Sequence, residues 1–91
     1  MKSVQVKILN KLGLHARPAM TFAEKAGEFS SSVHVRRTDG GETVDGKSIM
    51  QILMLAATCG TRLEIQADGD DEASCLEALK TLVDSRFEED E

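Results

Sequence analysis

The sequence contains no tryptophan and no tyrosine, only three phenylalanines, one proline and two cysteines. Without large rings, the core must be built from aliphatic side chains. The longest apolar run covers residues 52–57, far below the roughly 20 residues that a bilayer-spanning helix needs. The opening Met1-Lys2-Ser3-Val4-Gln5-Val6 alternates like a strand and lacks the apolar centre of a signal peptide, so a cytoplasmic location is expected. Cys59 and Cys75 have neither metal nor CxxC spacing and read as free thiols in a reducing compartment. Positive charge is in deficit as well. Eleven Lys and Arg against 16 Asp and Glu leave a formal net charge of −5, which argues against nucleic acid or an anionic membrane as the main partner. Asp68-Gly69-Asp70-Asp71-Glu72 is only superficially a calcium loop, because the required glycine and distal glutamate are misplaced. It reads as a turn and helix cap, and no metal or cofactor is expected.

What is present fits one domain over residues 1–91. Val4, Val6 and Ile8 alternate with polar residues in a first strand. Ala16, Ala19, Ala23 and Ala26, with Met20 and Phe22, form a helical stripe that begins at Ala16 or at Pro18 and ends at Gly27, Phe29 tucking back. Val33 and Val35 alternate with His34 and Arg36 in a second strand, which places His34 among solvated residues. Thr38-Asp39-Gly40-Gly41 has hairpin-turn chemistry, with a short third strand over residues 42–45. A second helix is expected over residues 47–57, closed by Gly60. Leu63, Ile65 and Ala67 mark a fourth strand. From Asp70 a third helix runs on Ala73, Leu76, Leu79, Leu82 and Val83, with Cys75 inert beside the stripe. The acidic tail (residues 86–91) is expected to fray. The order β-α-β-β-α-β-α supports a two-layer α+β sandwich, and pattern alone suggests a ferredoxin-like split βαβ layout.

Gly13-Leu14-His15-Ala16-Arg17-Pro18-Ala19 carries the chemistry. A neutral imidazole can attack a phosphoryl group near neutral pH. The product bears roughly two negative charges; unpaired N–H groups at a helix start and the helix dipole suit that anion. Arg17 adds a permanently charged planar fork. A histidine before a helix is, taken alone, more often a solvated loop residue or improvised cap, and Pro18 fits a purely structural first-turn role.

These residues, with Asn10-Lys11-Leu12 ahead of them, resemble the active-site signature of the HPr family, the small phosphocarriers of the bacterial phosphoenolpyruvate:sugar phosphotransferase system. Gly46-Lys47-Ser48-Ile49-Met50 is similar to the family's regulatory-serine segment. Cys59-Gly60-Thr61 leading into a strand, then Ala67 to Glu72 and a final helix, make a third landmark, so the likeness spans essentially the whole chain. It implies an HPr-like open-faced two-layer sandwich: a four-stranded antiparallel sheet of order 1-4-2-3 with three helices on one face. It implies that Enzyme I, charged by phosphoenolpyruvate, phosphorylates His15 on Nδ1, that Arg17 stabilises the phosphate, and that an EIIA-type acceptor receives it. The chain would then be a monomeric stoichiometric carrier without enzymatic turnover of its own. Ser48 would be a regulatory site for an HPr kinase/phosphorylase, bringing in a transcriptional regulator. Two variants stay open. The nitrogen branch shares the histidine signature, and the Asn-Lys-Leu-Gly opening and acidic C-terminus suit it. A regulatory paralogue would bind without phosphorylating, and His15 speaks against it.

Residues 41–48 also satisfy GxxxxGK[ST], a nucleotide-binding loop. That loop needs a buried parallel strand before it, whereas these residues read as a short strand leaving an Asp-Gly hairpin, so coincidence is preferred. The second helix has too many apolar residues for one buried face. Ile52, Leu55, Ala56 and Cys59 form one stripe; Ile49, Met50 and Leu53 form another. By resemblance the first packs inward, and the second docks partners together with Met20. Arg17, Lys25 and Lys47 would rim that patch and meet acidic partners.

Overall fold

The computed structural model describes residues 1–88. It contains β1 (Lys2–Lys7), α1 (Ala16–Gly27), β2 (Ser32–Arg37), β3 (Val44–Asp45), α2 (Ile49–Met54), β4 (Arg62–Asp68), α3 (Glu72–Asp84) and a closing 3-10 turn, Arg86–Glu88. The four strands form one antiparallel sheet in the order β1-β4-β2-β3, with three helices over it, as the resemblance implies. β4 lies inside the sheet, between β1 and β2. Its Leu63, Ile65 and Ala67 turn inward opposite Val6, Val4 and Lys2 on one side. On the other they meet Arg37, Val35 and Val33. Burying β-branched side chains on one face fixes the register, since a one-residue slip would send all of them into water. α3 lies over β1 and β4, and α1 packs on both other helices. α1 buries Pro18, Ala19, Phe22, Ala23 and Ala26, and α3 buries Cys75, Leu76, Leu79, Leu82 and Val83. Both sets have helical spacing. Ala16, Met20 and Ala73, expected on these stripes, are exposed, and Cys75 is a full member of the core.

Four elements depart from expectation. The third strand is only Val44–Asp45. Arg36 and Arg37 pair with β4 instead, while Gly40 and Gly41 take φ of +118° and +103°, so the ladder does not close down to the turn. α2 runs Ile49–Met54, not over 47–57: Ser48 is its extended N-cap, and Ala56 at φ +51° stops it. That stop turns Ala56 and Cys59 outward, where the inward stripe was expected to continue, and buries Ala57. Gly60 closes no helix; its N–H donates to the Ile8 carbonyl at 2.8 Å. At the start of the tail, Arg86 and Phe87 take φ of +59° and +57° in the 3-10 turn, and Phe87 returns to the core. The frayed tail expected for residues 89–91 lies outside the described residues.

α3 begins at Glu72, and its N-cap residue Asp71 makes no capping bond of its own. Its carboxylate reaches across to the α1–β2 connection. There it accepts the Ser30 N–H at 2.9 Å, the Ser31 N–H at 3.0 Å and the Ser31 hydroxyl. Those donors, the Ser31 hydroxyl first and the Ser30 amide next, hold Asp71 below the ordinary carboxylate range. A depressed folded pKa means stability that is complete above the unfolded value of about 3.9 and lost as the pH falls through the folded one. Asp71→Asn should therefore flatten the fall of Tm on the acid side. Thermal unfolding across a pH series checks this, and parallel curves for the two proteins would contradict it.

Candidate functional site

The segment that carries the histidine is held from both ends. After β1, the Ile8 N–H donates to the Thr61 carbonyl at 2.9 Å. Asn10 is buried, and its Nδ2 donates to the Gly13 carbonyl at 2.6 Å while the Gly13 N–H returns to the Asn10 carbonyl at 3.1 Å. Gly13 sits at φ +70°, a left-handed conformation. A Cβ there would lie 2.4 Å from the Ala57 carbonyl oxygen and 2.8 Å from the Thr58 Cα. The loop is thus pressed against the chain leaving α2, and the Leu14 N–H donates to the Ala57 carbonyl at 2.8 Å. Leu14 is buried as the anchor. His15 comes next.

His15 is the N-cap of α1, extended at φ −86° and ψ −170°, so the helix begins at Ala16, the earlier of the two starts left open by the sequence. Its carbonyl accepts the Ala19 N–H at 3.0 Å, and its own N–H donates to the Gly13 carbonyl at 3.1 Å. Its side chain makes no capping bond. Of the first amides of a helix, which lack intrahelical acceptors, Pro18 has none to offer, which leaves those of Ala16 and Arg17. The imidazole is half-buried with Nε2 shielded from solvent. Arg17 is exposed, two residues on, and its backbone carbonyl accepts the Thr21 hydroxyl at 3.0 Å.

Ser48 caps α2: its Oγ accepts the Gln51 N–H at 3.3 Å. Gly41 to Ser48 cross an antiparallel edge strand and a turn, and the Lys47 Nζ donates to the Phe29 carbonyl at 2.9 Å. That geometry differs from a phosphate cradle fed by a parallel strand. Of the expected rim, Lys25 is paired with Glu28 at 3.6 Å; Lys47 is tethered as described, and both Lys47 and Arg17 are exposed.

On α2, Ile52 and Leu55 turn inward, whereas Ile49, Met50 and Leu53 are exposed, as is Met20 on α1. Leu12 and Met54, which the sequence reading passed over, are exposed as well, at 65% and 74%. Signals for both exist: Leu12 lies between Asn10 and Gly13 in a tight turn, and Met54 follows Met50 by one helical turn. With α1 against α2, the result is an apolar surface beside the His15 loop. Among the described residues no group of His, Cys, Asp and Glu could hold a metal ion, and no helix is long and apolar enough to cross a membrane.

A family model described as the PTS HPr component phosphorylation site matches residues 2–85. The chain belongs to the HPr family. It is 45% identical to the phosphocarrier protein HPr of Neisseria meningitidis serogroup A and of Pseudomonas aeruginosa, in each case over all 91 residues and the whole of both proteins. The crystal structure of HPr-C-His from Thermoanaerobacter tengcongensis superposes with a TM-score of 0.92 at 42% identity, covering both chains entirely. An HPr phosphocarrier of the phosphotransferase system is thus the function at its coarsest.

Proposed function

We propose that this HPr acts as a monomeric, stoichiometric carrier with His15 as its phosphoryl acceptor and donor. The observation that carries the reading is a helix N-cap occupied by an imidazole that does not cap. An N-cap side chain ordinarily consumes a first-turn amide; here the Ala16 and Arg17 amides stay available to an anion, at the positive end of the dipole. The family resemblance implies attack by Nδ1, and the shielding of Nε2 supports that choice. The Nδ1 lone pair forms the new P–N bond as the bond to the phosphorylated donor, Enzyme I charged by phosphoenolpyruvate, breaks. The reverse event delivers the group to a histidine of an EIIA-type acceptor. The Arg17 guanidinium offsets the charge on the travelling group. The site should hold phosphate only moderately, since tight binding of the loaded state would slow onward transfer.

Met20, Ile49, Met50 and Leu53 dock partners in this reading, with Leu12 and Met54 widening the surface and Arg17 and Lys47 at its edge. A Met50→Glu variant, altered at a side chain 75% exposed, should keep its Tm and raise KM for transfer from Enzyme I by about tenfold, as loss of an interface contact of 1–2 kcal/mol does. Steady-state kinetics with the variant as substrate check it. Ser48 is the regulatory site of the reading. A phosphate there, added by an HPr kinase/phosphorylase, would sit at the α2 N-terminus beside Ile49 and Met50, place charge on the docking face, repel acidic partners and mark the chain for a transcriptional regulator.

Intact mass after incubation with phosphoenolpyruvate and Enzyme I tests the central claim. A gain of one phosphate that is lost in acid supports it; an unchanged mass, with the fold intact, leaves a regulatory binder.

A further inference from the structure

α2 ends in a turn that its own sequence does not favour. Ala56 takes φ +51°, a conformation that a residue with a Cβ keeps only where its surroundings hold it. The last carbonyls of the helix lack intrahelical donors and carry the negative end of its dipole. Arg37, from the end of β2, answers both needs. Its Nη1 donates to the Leu55 carbonyl at 3.2 Å and reaches the Ala56 carbonyl at 3.5 Å. Its Nε and Nη2 donate to the two carboxylate oxygens of Asp39 at 3.0 and 2.9 Å. This bidentate fork orients the guanidinium and holds Asp39 below the ordinary carboxylate range. One residue past Ala56, the Ala57 carbonyl takes the Leu14 N–H and abuts Gly13. The connection therefore runs from Asp39 through Arg37 to the turn after α2, and from there to the residue next to His15.

We infer that Arg37, oriented by Asp39, is a positioning residue for phosphoryl transfer at His15: its guanidinium holds the strained turn from which the His15 loop hangs. The inference rests on the reading of His15 as acceptor. Arg37 touches neither the phosphate nor the imidazole; its effect is on where the imidazole sits. Small displacements of a reacting group are expensive, on the order of 10²-fold for about 1 Å. Arg36 supplies the control. It is the neighbouring cation, but its Nε pairs with Glu64 at 2.8 Å across β2 and β4 and its Nη1 donates to the Arg37 carbonyl at 3.4 Å, whereas the carbonyls of the turn after α2 are held by Arg37.

Arg37→Ala, Arg36→Ala and the natural chain are compared below their unfolding temperatures. Initial rates of transfer from Enzyme I are measured against carrier concentration, and amide hydrogen exchange is followed at Leu14 and Ile65. Arg37→Ala should lower kcat by about tenfold or more with KM unchanged, since the apolar docking surface is not altered. It should also speed exchange at Leu14 and not at Ile65, while Arg36→Ala does neither. A lower Tm with natural kcat and natural Leu14 exchange would reduce Arg37 to a helix cap and overturn the inference. So would a raised KM with natural kcat. A natural chain that takes up no phosphate overturns the acceptor reading and this one together; an Arg37→Ala chain matching a competent natural one overturns this one alone.

Discussion

His15→Ala is expected to gain no mass from phosphoenolpyruvate and Enzyme I while keeping its fold. The loss should be complete, because no other group at the start of α1 offers a nitrogen nucleophile: the neighbours are Leu14, Ala16 and the guanidinium of Arg17, and an arginine stays protonated. The fold should survive because the imidazole contributes no capping bond, and the backbone bonds on either side of it, to Gly13 and from Ala19, remain. A companion variant sharpens the case. His15→Asn places a strong capping side chain at a position whose extended backbone already suits one. It should add about 0.5–1.5 kcal/mol of stability, or a rise in Tm of a few degrees, and be equally dead as a carrier. Stability gained as transfer is lost is the signature of a residue retained for chemistry at the expense of the helix. Thermal unfolding beside intact mass checks both variants. An acid-labile phosphate on either would remove His15 from the acceptor role.

Much of this was legible in the sequence because the informative signals are local and periodic. Val4, Val6, Leu63, Ile65, Val33 and Val35 alternate, and a sheet with one buried face leaves such residues only one register. Leu76, Leu79, Leu82 and Val83 could serve only as a helix stripe. Strand order was another matter. Alternation identifies strands without ordering them, so pattern alone favoured a different layout, and 1-4-2-3 followed from the resemblance. The misses after α2 and at Phe87 share one cause. Ala56, Arg86 and Phe87 adopt positive φ for reasons that lie elsewhere in the chain: Arg37 waiting for carbonyls, and a core with room for Phe87. No local propensity encodes that, so α2 was expected to continue and Phe87 was not counted in the core. The reach of Arg37 to the Leu55 carbonyl and of Asp71 to Ser30 escaped for the same reason, since those partners are 18 and 41 residues away. The tether of the rim residue Lys47 was not legible because its acceptor, the Phe29 carbonyl, belongs to another element. The candidate site residues His15 and Arg17 fall within one short stretch, and the family resemblance, more than the residue types alone, singled them out.

Gly13→Ala should be the most damaging single methyl in the molecule. Two penalties act together there. At φ +70° a Cβ meets its own backbone, and the same atom would stand 2.4 Å from the Ala57 carbonyl oxygen. That oxygen is main chain and cannot rotate away as a side chain would. It also accepts the Leu14 N–H at 2.8 Å, so retreat stretches the bond that seats the loop. The lower entropy of the unfolded alanine chain returns only about 0.4–1 kcal/mol. A net loss of about 2–4 kcal/mol follows, which for a domain of this size is roughly 10–30 °C in Tm. Phosphoryl transfer should slow as well, even at temperatures where the variant is folded, because the His15 N–H is bonded to the Gly13 carbonyl and moves with it. Gly27→Ala is the counterpart at the end of α1. Its φ is not positive, and beyond its chain neighbours and its own helix backbone nothing lies within 4 Å of the added Cβ. The methyl there should be neutral or stabilising by up to about 1 kcal/mol, since alanine is the better helix former. Thermal unfolding of the pair separates the contact from the composition. Equal Tm values would mean that the loop can withdraw from Ala57 without penalty, and then neither Gly13 nor the turn behind it would be what places His15.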